Sequence, residues 1–495
     1  MASPLRLLAD QAFSRAAGAP LVEGNSIQLL CDAEENYPAW LDAIGSARRW
    51  VHFESYIIHD DTTGHEFAEA LMAAAKRGVR VRVIYDWLGA ISATTWMYWE
   101  RLRRAGVEVR PFNQPRLDAP LGWMARDHRK MLGVDGTIGF VTGLCVGDVW
   151  WGGERNKGAD PWRDTGVAVQ GPAVADIEQA FADVWAATGS ALPADEVPRD
   201  GSIAPSGTVA MRVIGTKPST GGVFRLDQLV SAVARERLWI TDAYFVGASP
   251  YVQALIAAAS DNVDVRLLVP GSGTDLPVVQ RLTQAGYRPL LEAGVRIFEW
   301  NGTMVHAKTA VADGRWARVG STNLNVQSWL GNWELDVAVE DVDFARQMED
   351  AYLGDLENAT EIVLSESRVT STKSDAAVTR PRSRPGEWRQ RRGTGRTRRA
   401  AAAGALRMGR TFGAAMTARR ALGATESVML VWGVVLLLAL GAVSLKWPRG
   451  IAYPLGVLLI WLAFSWLLQA VKAWRRRERS LQAVKPSSPR RIDAA

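Results

Sequence analysis

The sequence predicts an α/β protein built twice over, with a helical hairpin near its C-terminal end that crosses a membrane. Three observations predict it. Short β-rich runs alternate with amphipathic helical stretches; the same order of runs returns about 180 residues later; and two long uncharged stretches follow a basic segment.

Met1–Gly24 contains Arg6, Asp10 and Arg15 and no long apolar run, so it does not read as a signal peptide, and a cytoplasmic body is expected. Residues 25–195 then form the first half. Trp50–Ile58 reads as a strand, Glu66–Arg77 as a helix stopped by Gly78, and Val79–Tyr85 (VRVRVIY) as a second strand. Trp99–Ala105 reads as a helix and Gly106–Pro111 as a third strand. Residues 205–365 repeat the order. Trp239–Val246 matches the first strand, with Asp242 and Tyr244 set against Glu54 and Tyr56. Val263–Val269 matches the second, and AGVRIF from Ala293 matches AGVEVR from Ala105. A common register across these segments indicates an internal duplication.

From 366 to 425 the chain turns to Arg, Ser, Thr, Pro, Gly and Ala. Such a composition buries too little apolar surface to offset its ordering entropy, so this linker is expected to be largely disordered, with a basic amphipathic stretch after Arg399. Ser427–Leu445 and Gly450–Val471 are free of charge over 19 and 22 residues, each enough for a membrane-crossing helix. The short connector Lys446–Arg449 makes residues 427–472 a hairpin, and 473–495 is a basic tail. Arg419, Arg420, Lys472 and Arg475–Arg477 flank the hairpin, so both of its ends are expected in the cytoplasm.

Charge divides along the same lines. Residues 371–495 hold 24 Lys and Arg against 5 Asp and Glu, whereas residues 1–370 hold 34 against 47. A basic tail on a mildly acidic body suits an anionic surface, either lipid or nucleic acid. An apolar content of 48% excludes a disordered chain, and two cysteines, Cys31 and Cys145, exclude a disulfide scaffold.

The sharpest signal sits at matching places in the repeats. His128-Arg129-Lys130 is followed by Asp135, and His306-Ala307-Lys308 by Asp313: two copies of H-x-K-x4-D, using two of only five histidines. Extended backbone places His and Lys on one face. A small-residue turn lies downstream of each motif, Thr142-Gly143-Leu144-Cys145 in the first half and Gly320-Ser321-Thr322-Asn323 in the second. Phosphodiester transfer needs a nucleophile, a proton donor for the leaving alkoxide and positive charge around the phosphoryl oxygens. Two imidazoles and two ammonium groups supply these without a metal, which suits a two-step reaction through a phosphohistidine. His59 and His65 lie in a polar turn with no second ligand cluster, so no metal or other cofactor is expected. Tyr56, Tyr244, His52 and Asp86 read first as core or sheet residues, with lining a site as the alternative.

These motifs resemble the phospholipase D superfamily, and the chain from Gly24 to Leu364 resembles bacterial cardiolipin synthases. The shared segments include FESYIIHDD from Phe53, WRDTGVAVQGPAV from Trp162, DAYFV from Asp242 and the run from Met304 through NWELD. The resemblance implies two phospholipase D-like α/β sandwich halves with both histidines at one central site. It implies catalytic roles for His128, Lys130, Asp135, His306, Lys308 and Asp313, with His128 and His306 as nucleophile and general acid. It further implies substrate contacts from Ser321, Asn323 and Gly143, with Glu334, and Asp164 as its mirror, orienting a histidine across the interface. The implied reaction is phosphatidyl transfer, making cardiolipin from phosphatidylglycerol or a related donor. Hydrolysis of phospholipids is the alternative; a nuclease or a non-catalytic scaffold fits less well. The implied partners are anionic phospholipids and a bacterial inner membrane, with no nucleic acid. Three features depart from the family pattern: Cys145 where an amide is usual, Gly166 after WRDT where relatives often carry His, and the hairpin at the C-terminal rather than the N-terminal end.

Overall fold

A computed structural model describes residues 4–115, 125–199, 201–364 and 369–373, with the isolated helical positions Tyr453, Ile460, Trp461 and Phe464. The chain forms two compact units, Met1–Ser374 and Asp375–Ala495. The second is described only at those four positions, so apart from them the expected hairpin at 427–472, the linker beyond Lys373 and the tail 473–495 lie outside the described residues. Among the described residues no helix is long and apolar enough to cross a membrane.

The first half contributes β1 (Val22–Cys31), β2 (Trp50–Ser55), β3 (Arg80–Asp86), β4 (Glu108–Phe112), β5 (Arg126–Asp127), β6 (Lys130–Val134), β7 (Ile138–Thr142) and β8 (Thr165–Gln170). The second contributes β9 (Val209–Thr216), β10 (Arg237–Thr241), β11 (Asp264–Pro270), β12 (Arg296–Trp300), β13 (Thr309–Ala312), β14 (Trp316–Gly320), β15 (Asn332–Glu340), β16 (Ala359–Leu364) and β17 (Val369–Lys373). The first sheet runs β4-β3-β2-β6-β7-β8-β1, with β2, β3 and β4 parallel and the rest antiparallel. The second runs β16-β12-β11-β10-β13-β14-β15-β9, and apart from β16, which adds an antiparallel edge beside β12, its pattern of directions is the same. Strand for strand, this is the duplication read from the sequence.

Parallel strands need crossover helices, and the segments between them are amphipathic for that reason. Thr62–Lys76, between β2 and β3, starts where the Asp61 side chain accepts from the Gly64 N–H at 2.9 Å. It buries Phe67, Ala68, Leu71 and Met72 and stops at Gly78, whose φ of 89° is a backbone state that favours glycine. Tyr37, Trp40 and Phe67 meet edge-to-face, and Phe53 stacks on Phe67. At about 1.5–3 kcal/mol for each large apolar side chain removed from water, such clusters dominate the stability of each half.

The halves are not independent domains. One apolar cluster takes Val167, Val169, Phe181 and Trp185 from the first and Val213, Val319, Leu335, Val337 and Phe344 from the second. β1 also pairs with β9, joining the sheets at their edges. The N-terminal helix Pro4–Ala17 lies against Gly222–Val233 of the second half, where Arg225 donates to the Ala16 carbonyl at 3.0 Å. Two boundaries differ from expectation. β17 pairs with β16, so five residues assigned by composition to the linker add a strand to the second sheet. The match of Asp242 to Glu54 is also one residue out. Glu54 pairs with Met131 and Thr241 with Thr309, so Thr241 is the ladder equivalent of Glu54. A one-residue slip reverses the face a side chain occupies, and Glu54 and Asp242 therefore meet different neighbours.

Candidate active site

Each H-x-K-x4-D motif straddles the start of a strand. His128 lies between β5 and β6, and His306 just before β13. Their backbones are fixed by the opposite half: His128 N–H donates to the Trp333 carbonyl at 2.9 Å, and His306 N–H to the Arg163 carbonyl at 2.7 Å. β5 pairs with the start of β15, and Arg163 bridges to Val305. The two histidines thus sit on a pseudo-twofold crossing of the halves.

The side chains cross as well. His128 Nδ1 lies 2.9 Å from Glu334 Oε2 of the second half and 3.1 Å from the Ser321 carbonyl. His306 Nδ1 lies 2.7 Å from Asp164 Oδ2 of the first. A carboxylate accepts, so each Nδ1 carries the proton, and each Nε2 is left with the lone pair that can attack phosphorus or take a proton. Both carboxylates are completely buried and braced. Glu334 also accepts from Ser321 Oγ at 2.6 Å and Asn332 Nδ2 at 3.1 Å. Asp164 accepts from Trp150 Nε1 at 3.2 Å and from the Thr165 N–H at 2.9 Å, while its own N–H is held by Asp32 at 2.8 Å.

Lys130 and Lys308 are buried beside the histidines, 1% exposed each. Lys130 Nζ donates to the His128 carbonyl at 2.6 Å, and Lys308 Nζ to that of His306. Lys308 Nζ approaches Nδ1 and Nε2 of His306 at 2.9 and 3.0 Å; since Nδ1 carries a proton toward Asp164, only Nε2 can accept from it. Each ammonium faces a tyrosine ring, Lys130 that of Tyr56 at 5.2 Å and Lys308 that of Tyr244 at 6.0 Å.

The electrostatics couple all four groups. Burial holds His128 below its ordinary range, opposed by Glu334 and reinforced by Lys130 and Lys308. Burial and Lys308 bring His306 down to about 3, with Lys130 adding to the effect. Lys308 is lowered to about 8, again by burial first and with Lys130 contributing. Burial pushes Asp164 and Glu334 up, but the neighbouring imidazoles and ammonium groups outweigh it and leave both carboxyls below their usual range. Two ammonium groups withdrawn from water and depressing the same two imidazoles make a site that an anion would relax.

Other predicted residues fall elsewhere. Asp135 and Asp313, expected to be catalytic, sit beyond the far ends of β6 and β13 rather than beside the histidines. Asp135 accepts the N–H groups of Arg48, Arg49 and Trp50 at 2.7–2.8 Å. Asp313 accepts those of Arg235, Glu236 and Arg237 at 2.8–3.0 Å. A carboxylate is the one side chain that satisfies three converging donors, so the final letter of each motif fixes the entry to β2 or β10. Ser321, expected on the substrate, spends its hydroxyl on Glu334. Glu334 and Asp164 stand against His128 and His306, where the expected orienting carboxylates would be. Gly143 is packed so closely on Asp164 that a Cβ there would lie 2.1 Å from its Oδ1. Asn323 is 3% exposed with its Oδ1 unpaired. Cys145 occupies the matching place in the first half, buried and near enough to Lys130 and Lys308 for both to act on its thiol. Of the sheet residues, Tyr56 and Tyr244 do line the site, with ring centroids 5.0 Å from His128 and 5.8 Å from His306. Asp86 braces it by accepting from Arg126 and the Asp127 N–H, each at 2.9 Å. His52 does not; it is locked between Glu178 and Glu196. Trp150 and Trp162, which flank His306 at 5.7 Å, carried no motif that would have singled them out.

The family model for the cardiolipin synthase, phospholipase D-like domain matches residues 40–185 and 227–355. Cardiolipin synthase A of Pseudomonas syringae pv. syringae is 33% identical over 374 residues, covering 73% of this chain and 74% of that protein. A cardiolipin synthase of Halalkalibacterium halodurans is 31% identical over 362 residues, 72% of this chain and 70% of that one. Among solved structures, the phosphatidylserine synthase of Haemophilus influenzae Rd KW20 shares the fold, with a TM-score of 0.55 at 13% identity over 73% of this chain and 91% of that one.

Proposed function

The chain belongs to the cardiolipin synthase family of phospholipase D-like phosphatidyltransferases, and from that premise we propose how its residues make cardiolipin from phosphatidylglycerol. His128 Nε2 attacks the phosphorus of the donor. As the P–O bond to glycerol breaks, His306 gives its Nε2 proton to the departing oxygen. The diacylglycerol phosphate remains on His128 through a P–N bond. A hydroxyl of a second phosphatidylglycerol then gives its proton to His306 and attacks phosphorus, freeing His128 and releasing cardiolipin. Lys130, Lys308 and Asn323 surround the phosphoryl oxygens.

The observation that carries this reading is the crossed pairing of His128 with Glu334 and His306 with Asp164. It supports two imidazoles held in one tautomer, each with an unprotonated Nε2, that of His306 facing the Lys308 ammonium. In the empty site both are held neutral. Burial depresses them first and lysine charge second; a bound phosphodiester anion offsets the lysine part and so favours protonation of one imidazole as substrate enters.

The same reading includes the membrane. Residues 427–472 would cross it as a hairpin with both ends and the catalytic body in the cytoplasm, and each Lys or Arg near the anionic leaflet would add about 1 kcal/mol of attraction. Leu88, Ile91, Trp96 and Met97 on the loop after β3, and Leu276, Val278 and Leu282 after β11, are exposed apolar residues suited to a lipid surface.

Purified full-length protein in phosphatidylglycerol liposomes, followed by mass spectrometry of the lipids, tests the proposal. Cardiolipin and free glycerol in equal amounts are expected. Phosphatidic acid as the main product would replace the transferase with a hydrolase.

A further inference from the structure

The loops that follow β3 and β11 occupy equivalent places, and at one position they differ in kind. Five residues beyond β3 stands Ile91, 57% exposed; five residues beyond β11 stands Asp275. Both Asp275 carboxylate oxygens face the Tyr244 hydroxyl, at 3.0 and 2.9 Å. Tyr244 in turn lies edge-on to His306 at 5.8 Å and beneath Lys308 Nζ at 6.0 Å. Of these two loops, the one on the His306 side therefore anchors a carboxylate on a tyrosine that lies against the reacting imidazole.

Its chemistry restricts what can bind there. The Tyr244 hydroxyl is its side-chain donor, the N–H groups of Asp275 and Leu276 lie close by, and the two carboxylate oxygens keep lone-pair capacity for a further donor. An anionic oxygen repels phosphate and gains nothing from an acyl chain, but it accepts further O–H groups. We propose that Asp275 and Tyr244 form a subsite for alcohols with adjacent hydroxyl groups. One hydroxyl reacts at phosphorus beside His306 while a neighbouring one donates to Asp275. This rests on the transfer reaction proposed above and adds to it a position for the glycerol headgroup, both as it leaves and as it arrives. The diacylglycerol part then lies over the first half, against the apolar loop containing Leu88, Ile91, Trp96 and Met97.

A competition between two acceptors tests the subsite. Full-length protein in phosphatidylglycerol vesicles is given deuterated glycerol and 1-propanol together, and labelled phosphatidylglycerol is compared with phosphatidylpropanol. Wild type is expected to favour glycerol, and Asp275→Ala to lower that preference about tenfold while transfer to 1-propanol continues. Tyr244→Phe is expected to shift it in the same direction by a smaller factor, and Asp275→Glu to restore part of it. An unchanged ratio in an active Asp275→Ala protein overturns the subsite and leaves the transferase standing, as does a uniform loss of transfer to both alcohols. Wild-type protein that transfers to neither alcohol removes the reaction itself.

Discussion

Among the described residues, the orienting acid around His128 is Glu334, braced by the Ser321 hydroxyl, and one tyrosine ring stands nearby. Around His306 the acid is the shorter Asp164, braced by an indole N–H, and three aromatic rings close in. The turn beside His128 presents Cys145, and the turn beside His306 presents Asn323 with an unpaired buried oxygen. Arg129, within the first motif, is a buried guanidinium that donates to Glu334, Ala180 and Thr216 carbonyls, whereas the second motif has Ala307 at that place. Glu54 and Asp127 lie near Arg129; burial raises both carboxyls, with Asp127 lifting Glu54 further and Asp86 adding to the rise of Asp127 to about 7. Identical strand orders therefore carry unequal half-sites. One is tied into the seam between halves by charge, and the other is walled by aromatic rings and keeps its amide free. Such inequality fits a reaction whose two imidazoles perform different tasks.

The largest effect should come from separating those tasks. His128→Asn and His306→Asn are each expected to lower cardiolipin formation by about 10^4-fold. A donor with a p-nitrophenyl leaving group needs no proton to depart, so His306→Asn should still release a burst of p-nitrophenol and His128→Asn should not. The reverse pattern would exchange the roles. Next in size, Asn323→Ala should reduce kcat/KM by about 10- to 100-fold, since a polar contact to charged phosphate is lost. Cys145→Ala should cost less than about 3-fold, and equal effects at the two turns would erase the contrast.

A pH profile sharpens the comparison further. Because burial lowers Lys308 to about 8, its charge is lost as pH rises through that value, and phosphate binding is lost with it. The value of kcat/KM should fall there by up to tenfold per pH unit, and Lys308→Arg should move that limb beyond the accessible range. The smallest difference between the halves is expected at Asp135 and Asp313. Asp135→Ala and Asp313→Ala should each lower unfolding stability by about 3 kcal/mol in urea titrations, with kcat nearly unchanged. A collapse of kcat in a folded variant would return either acid to the chemistry.

Much of this was legible in the chain. Strand runs such as VRVRVIY and VDVRLLV announce parallel strands because both of their faces are buried, and their recurrence reveals the duplication. The His-Lys pairs stand out because two rare residues recur at a fixed spacing. Glu334 and Asp164 were reached through family resemblance, and the crossing supplies their physical reason. Other parts depend on neighbours distant in the chain. The spacing of Asp135 and Asp313 from the lysines is regular, yet spacing cannot say which backbone donors converge beyond a strand end. The slip between Glu54 and Asp242 is invisible because both are single acids in similar apolar runs. Trp150 and Trp162 look like ordinary core residues until the second half sets His306 against them. The charge-free runs near the C-terminal end speak from length and composition alone, and they lie outside the described residues.

The exchange of acids between the halves has a consequence for how the molecule can be taken apart. Neither half carries a histidine together with its own proton-holding partner, so a fragment ending at Thr188 would leave its imidazole free to adopt either tautomer. Two inert pieces, broken between Thr188 and Val209 and mixed, would regain turnover only by docking in the native pose. Activity in this chain thus acts as a conjunction, reporting on the embrace of two bodies before it reports on either one.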